Sequence, residues 1–227
     1  MRALIALAGS PPDRAALDAA WPGWSTDVEL VIAADAGADT AERLGTRPDL
    51  AVGDFDSIDP STLVRLEAAG VPVEISPAAK DESDAELAIR AAIVRGADAL
   101  TIVGGFGGRP DHFLANIGLL ALPELAGMPV QLVDGTTRLS LLRGPGRLIL
   151  TGRTGDLVSL LPLGSGVEGV TTDGLAWPLV DEPLPLGPAR GLSNVRLGSE
   201  ARVQVRVGLL LVIETVVGTT PSARLPG

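Results

Sequence analysis

Two aspartates separated by one residue are the first candidates for chemistry in this chain. Asp54 and Asp56 flank Phe55 directly after a short apolar run. On an extended segment, residues two apart project to the same side, so we expect the two carboxylates to lie close together. Such a pair of like charges favours a bound cation. The alternative is a turn with solvated carboxylates, but the large aromatic residue between them favours the metal site.

A second acidic cluster begins at Lys80. Asp81 and Asp84 stand three apart at the start of a predicted helix, so their carboxylates can face the same side. Ser83 and Glu86 fit a capping box, and taken alone this cluster is best explained by helix capping. Lys80 either offsets the charge of a bound phosphate or is an ordinary surface lysine.

The strongest local signal is the glycine-rich segment over residues 104–112, which lies between a predicted strand and a predicted helix. Its glycines let the backbone approach a ligand, and their N–H groups suit phosphate binding. Arg109 adds donors suited to phosphate, with the acid Asp111 close by. For His112, a functional role and a structural role at the helix start remain equal alternatives. The segment is neither a Walker A loop nor a dinucleotide fingerprint, so it predicts anion binding in general.

The elements that must position these clusters alternate between short apolar runs and helical stretches over residues 1–135. This pattern predicts an α/β domain with a Rossmann-like parallel sheet, whose ligand crevice lies beyond the carboxyl ends of the strands. A polar or glycine-rich cluster follows each of the first five predicted strands. The predicted strands are 3–8, 29–34, 50–52, 72–75, 99–103 and 129–133, and the helices lie near 13–20, 38–45, 60–69, 83–95 and 111–121.

Residues 136–227 lack the helical pattern and predict an antiparallel β-sandwich domain, with a barrel as the alternative. Glycines and prolines separate the short apolar runs, and residues 219–227 are expected to form a loose tail. Trp177 is either part of the core or a stacking surface for a flat heterocycle, and the sequence alone favours the core. The predicted strands are 138–142, 147–150, 156–161, 202–207 and 209–215.

Composition narrows the chemistry. The chain has no cysteine and one histidine, so thiolate sites and multi-histidine metal sites are excluded. A bound metal would therefore be one that accepts oxygen ligands, such as Mg²⁺, Mn²⁺ or Ca²⁺. A net charge of −10 argues against a nucleic-acid partner. Because no apolar run is long enough for a membrane span and the N-terminus is better explained as a buried strand than as a signal peptide, we expect a cytoplasmic protein without a membrane partner.

Taken together in order, these motifs resemble the thiamine pyrophosphokinase family. The resemblance extends to about residue 195 and departs at Ala36, where the family usually has a second glycine. The segments that carry it are Asp35-Ala36-Gly37-Ala38, Gly53-Asp54-Phe55-Asp56-Ser57, Lys80-Asp81 with Ser83-Asp84, Gly104-Gly105 with Gly107-Gly108-Arg109, Asp111-His112 with Asn116, Thr171-Thr172 with Trp177, and Ser193-Asn194.

The resemblance implies a homodimer whose active site lies at the subunit interface, between the first domain of one subunit and the second domain of the other. It implies Mg²⁺, with Mn²⁺ as an alternative, and ATP as co-substrate. Its implied roles are metal ligands at Asp54, Asp56 and Asp84, nearby catalytic acids at Asp81 and Asp111, ATP and phosphate contacts at Asp35, Lys80, Gly105, Gly107, Gly108, Arg109 and His112, and thiamine contacts at Trp177, Ser193 and Asn194.

The implied reaction transfers a diphosphate from ATP to the hydroxyl of thiamine and releases AMP. A carboxylate or His112 accepts the hydroxyl proton. Three alternatives remain: a pyrophosphokinase for another small, pterin-like alcohol, a metal-dependent phosphohydrolase on the same carboxylates, and a non-catalytic sensor of thiamine or nucleotide.

Overall fold

A computed structural model describes residues 1–56, 58–77 and 79–218. Ser57 of the aspartate motif and the tail over 219–227 lie outside the described residues. The chain divides into two compact units, Met1–Ser140 and a second unit that begins at Leu141. In the part of the chain that is described, no helix has the length and apolar character needed to cross a membrane.

The first unit is built on a twisted sheet in the strand order β4-β3-β2-β1-β5-β6-β7. Strands β1 to β6 pair in parallel, and β7 pairs antiparallel with β6. Because the order reverses between β1 and β5, the crevice of this α/β sheet lies between the loops that follow these two strands. The strands are β1 (Arg2–Ala6), β2 (Val28–Ala34), β3 (Leu50–Gly53), β4 (Val73–Ile75), β5 (Ala99–Val103), β6 (Val130–Val133) and β7 (Thr137–Arg143).

Side-chain caps fix where three of the helices of the first unit begin. Asp13 and Asp59 accept hydrogen bonds from first-turn N–H groups of their helices, and the Ser83 hydroxyl accepts from the Glu86 N–H at 3.2 Å, as the predicted capping box requires. The helix bounds lie within three residues of those predicted. The helices are α1 (Arg14–Ala20), α2 (Gly37–Arg43), α3 (Pro60–Ala68), α4 (Asp84–Val94) and α5 (Pro110–Leu119), followed by a short 3-10 turn (Pro123–Leu125).

The second unit is antiparallel, as predicted, and is organised around one long strand, β9 (Leu157–Asp173). The first half of β9 pairs with β13 and β11, and its last residues pair with β12. The strands of this unit contribute to a core of buried aliphatic side chains, including Val158, Val170 and Val203. The other strands are β8 (Gly146–Thr151), β10 (Glu182–Leu184), β11 (Asn194–Val195), β12 (Glu200–Val205) and β13 (Val207–Thr215).

The glycines at 164 and 166 do not end a strand, so the prediction of a strand end at residue 161 is wrong. Gly164 and Gly166 have φ angles of +82° and +123°. Residues with this backbone bend a strand without ending its pairing. Strand β9 therefore continues through the bend, and the short strands β10 and β11, which pair with it, were not predicted.

Candidate active site

Asp35 lies at the end of β2 with its backbone in the left-handed region, at φ +49°. Its N–H donates to the Val52 carbonyl at 2.8 Å, which ties it to the end of β3. Gly53 approaches so closely that a Cβ there would lie 3.2 Å from the Asp35 Cβ. Ala36, the departure from the family pattern, has φ −62°, a backbone open to any residue, so its methyl group adds no backbone strain.

The ammonium of Lys80 lies between the carboxylates of Asp54 and Asp84, two of the predicted metal ligands. The Lys80 ammonium donates to Asp84 Oδ1 at 2.7 Å and lies 3.8 Å from Asp54 Oδ2. The Lys80 side chain is only 12 % exposed. Burial lowers the pKa of Lys80, but the hydrogen bond to Asp84 and the charges of Asp84, Asp54 and Asp35 together raise it above its ordinary value. The structure therefore brings Asp54, Asp84 and Lys80 together at the sheet edge.

The segment between Asp54 and Asp56 is not extended, so the prediction of an extended backbone there is wrong. Phe55 has φ +56°, and the backbone turns so that the Asp56 N–H lies 3.3 Å from Asp54 Oδ1. Phe55 itself is buried in a cluster with Ile58 and Leu66. Asp56 and Asp81 are exposed. Phe55 thus anchors the turn and fixes Asp54.

The donor set of this edge suits Mg²⁺. Among the described residues no three acidic or histidine side chains converge in ligating geometry. Mg²⁺, however, typically binds through one or two carboxylates, with waters and substrate phosphates as its other ligands. Asp54 and Asp84 already bind the Lys80 ammonium between them, so the negative charge needed to attract a cation is present at this position.

The glycine-rich loop after β5 is attached to the loop after β1. The Gly9 N–H donates to the Gly104 carbonyl, and the Ser10 N–H donates to the Phe106 carbonyl, both at 2.8 Å. Different surroundings explain why glycine occupies positions 105 and 107. A Cβ at Gly105 would meet the Leu132 side chain, and one at Gly107, where φ is +72°, would meet Ser10. Gly108, with φ +66°, has open space beside it.

Arg109 and Asp111 form a two-point ion pair at the start of α5. The Arg109 Nη2 lies 2.6 Å from Asp111 Oδ2, and Nε lies 3.1 Å from Oδ1. This hydrogen-bonded contact raises the pKa of Arg109 and lowers the pKa of Asp111. His112 beside them is exposed. Asn116, which the resemblance includes without a role, donates to the Gly105 carbonyl at 3.1 Å and holds the loop from the helix side.

In the second unit the predicted thiamine residues lie on two paired segments. Trp177 is 51 % exposed, so the interpretation of this residue as core is wrong. Asn194 is buried and hydrogen-bonds the Trp177 backbone, whereas Ser193, at φ +55°, donates its N–H to the Ser159 hydroxyl. These segments are also joined by the Ala176 N–H, which donates to the Val195 carbonyl at 2.9 Å.

Arg196 is a structural residue that the sequence did not single out. Its guanidinium is 1 % exposed and donates to the Leu150 carbonyl at 2.6 Å and to Glu214 Oε1 at 2.7 Å. A lone arginine between apolar residues carries no sequence signal that distinguishes it from a surface arginine. The buried pair fixes the segment that follows Asn194.

Two family models match the chain. Residues 24–132 match the catalytic domain of thiamin pyrophosphokinase, and residues 147–210 match its vitamin B1 binding domain. Over 194 residues the chain is 30 % identical to thiamine pyrophosphokinase from Bacillus subtilis strain 168, covering 85 % of this chain and 90 % of the relative.

Solved structures agree with the sequence matches. The crystal structure of the Bacillus subtilis thiamine pyrophosphokinase superposes with a TM-score of 0.81 at 28 % identity, covering 95 % of this chain and 99 % of that one. The thiamin pyrophosphokinase of Geobacillus thermodenitrificans gives a TM-score of 0.80 at 28 % identity, covering 96 % and 99 %.

Proposed function

The chain belongs to the thiamine pyrophosphokinase family, and we propose that it transfers a diphosphate from ATP to the hydroxyl of thiamine at the edge that holds Asp54, Asp84 and Lys80. The observation that supports this location of the reaction is the Lys80 ammonium, which lies between two carboxylates at the carboxyl end of the sheet. The four adjacent strands β3, β2, β1 and β5 all end at this edge. Their loops contribute Asp54, Asp35, the segment at Gly9 and the glycine-rich loop.

The reaction asks the protein for positioning and charge neutralisation more than for covalent chemistry. The thiamine oxygen bonds to the β-phosphorus, the bond from the β-phosphorus to the oxygen it shares with the α-phosphorus breaks, and AMP leaves. A carboxylate or His112 accepts the hydroxyl proton. The glycine-rich loop, with Gly105, Gly107 and Gly108, binds the polyphosphate through its N–H groups. Arg109 joins it by exchanging its Asp111 partner for phosphate oxygens.

Asp54 and Asp84, with Asp56 nearby in sequence, would hold Mg²⁺ or Mn²⁺. Bound there, the ion would neutralise charge on the polyphosphate as the bond to AMP breaks. The exposed indole of Trp177 would stack on thiamine. Ser193 and Asn194, the other predicted thiamine contacts, lie in the segment that pairs with the segment of Trp177. We also propose a cytoplasmic homodimer with its active site at the subunit interface, as the family resemblance implies.

The test is to incubate the protein with ATP and MgCl2, with and without thiamine, and to separate the products by liquid chromatography and mass spectrometry. We expect AMP and thiamine diphosphate in equal amounts, and neither without thiamine. AMP formed only with a hydroxymethyl pterin would support the alternative acceptor. Phosphate or diphosphate released without any acceptor would support a phosphohydrolase, and tight thiamine binding without turnover would support a sensor.

A further inference from the structure

The ammonium of Lys80 is positioned by two separate elements of the first unit. Asp84 is the first residue of α4, and Lys80, four residues earlier, reaches it at 2.7 Å. Asp54 follows β3 and is held by its turn and by the buried Phe55 ring. Because the two aspartates belong to separate elements, Lys80 joins their carboxylates without determining where their backbones lie.

The space that Lys80 fills is the space in which a divalent ion would contact the same carboxylates. The ammonium, 2.7 Å from Asp84 Oδ1 and 3.8 Å from Asp54 Oδ2, occupies the position at which an ion would bond to both of these oxygens. Mg²⁺ bonds oxygen at about 2.0–2.1 Å. An ammonium and a divalent ion at such separations also repel each other strongly in a partly buried site.

We propose that the ammonium of Lys80 is an internal counter-ion that occupies the cation position between Asp54 and Asp84, and that a divalent ion must displace it in order to bind there. This inference rests on the proposed function for the identity of the ion. Lys80 offsets one of the two negative charges before the ion arrives. Once displaced, its ammonium remains tethered close to α4 and is available to the polyphosphate. Lys80 therefore opposes binding of the free ion and favours its arrival together with nucleotide.

The experiment measures Mn²⁺ binding without nucleotide, by electron paramagnetic resonance of the free ion, on the full chain. Lys80→Gln removes the competing charge, so we expect it to bind Mn²⁺ about tenfold tighter than the unmodified protein, or more. Lys80→Arg keeps a cation at this position and is expected to bind no tighter than the unmodified protein. Adding Asp54→Asn to Lys80→Gln is expected to abolish the gain, which locates the ion.

Arg90→Gln is the matched control for net charge. Arg90 lies on α4 but pairs with Glu86 and Glu124, so its removal changes the charge of the same helix without vacating the position of Lys80. Equal gains in Lys80→Gln and Arg90→Gln would overturn the proposal, as would unchanged, weaker or undetectable Mn²⁺ binding in Lys80→Gln. Circular dichroism of each variant confirms its fold. The measurement involves no turnover, so its failure is distinguishable from failure of the proposed reaction.

Discussion

The side-chain amide of Asn194 holds the backbone of Trp177 at two points. Its Oδ1 accepts from the Trp177 N–H at 3.0 Å, and its Nδ2 donates to the Trp177 carbonyl at 2.6 Å. The same oxygen accepts from the Val195 N–H at 2.9 Å. Asn194 is 8 % exposed while Trp177 is 51 % exposed. We therefore expect Asn194 to present the indole, leaving the contact with thiamine to Trp177.

Replacement of Asn194 tests this positioning role. Asn194→Ala leaves the Trp177 backbone groups without their partners, which costs about 1–3 kcal/mol of unfolding free energy. We expect the KM for thiamine to rise with kcat nearly unchanged, because stacking contributes to binding. Asn194→Asp keeps the acceptor but buries an unpaired charge with a carboxylate oxygen against the Trp177 carbonyl, so its loss of stability and rise in KM should be at least as large as those of Asn194→Ala. Equal stability and KM in Asn194→Ala and the unmodified protein would contradict the assignment.

Intrinsic fluorescence can report the stacking on Trp177 directly. Trp21 and Trp24 are 6 % and 2 % exposed, so Trp177 is the accessible indole among the three. Thiamine should quench the fluorescence of the unmodified protein and of Trp24→Phe, and should have little effect on Trp177→Phe. Similar quenching in Trp177→Phe would show that thiamine binds elsewhere.

Substitution of two glycines of the loop after β5 distinguishes the cost of backbone strain from the cost of a steric clash with neighbouring atoms. Gly104 and Gly108 have φ angles of +70° and +66°, but a Cβ at Gly104 would lie 2.3 Å from the Leu7 carbonyl oxygen, whereas nothing lies within 4 Å of one at Gly108. Gly108→Ala should therefore lower the unfolding free energy by about 1–2 kcal/mol through strain alone. Gly104→Ala should lower it considerably more. Urea denaturation measures both, and equal losses would argue against the close approach.

Removing one partner of the buried pair of Arg196 and Glu214 should destabilise the second unit more than removing one partner of an exposed pair. Arg196→Met removes the guanidinium from a buried carboxylate, and we expect a loss of about 3–5 kcal/mol. The matched control is Arg202→Met, because Arg202 pairs with Glu200 at about half exposure, where loss of an ion pair costs about 0–1 kcal/mol. Thermal denaturation of both variants makes the comparison. An effect of Arg196→Met as small as that of Arg202→Met would contradict this expectation.

Much of the first unit was predictable, because its strands and helices follow local patterns such as the cap at Ser83. Family membership was predictable too, since the motifs occur in order. The turn at Phe55 was not, because a left-handed backbone in a non-glycine residue depends on burial of its ring. The contact of Lys80 with Asp54 joins residues distant in sequence, and the bend of β9 at Gly164 depends on the strands that pair with it.

The most direct test of the account compares thiamine diphosphate formation by Asp54→Asn and Asp84→Asn with that of Asp98→Asn at saturating Mg²⁺. Asp98 is an exposed aspartate paired with the N-terminal ammonium, so Asp98→Asn controls for loss of one carboxylate. We predict that Asp54→Asn and Asp84→Asn lose at least about a hundredfold in kcat, as does loss of other groups that stabilise a transition state electrostatically. All three variants should keep the native circular dichroism spectrum, and Asp98→Asn should keep near-normal turnover. Near-normal turnover in Asp54→Asn and Asp84→Asn would contradict the placement of the reaction at this edge of the sheet.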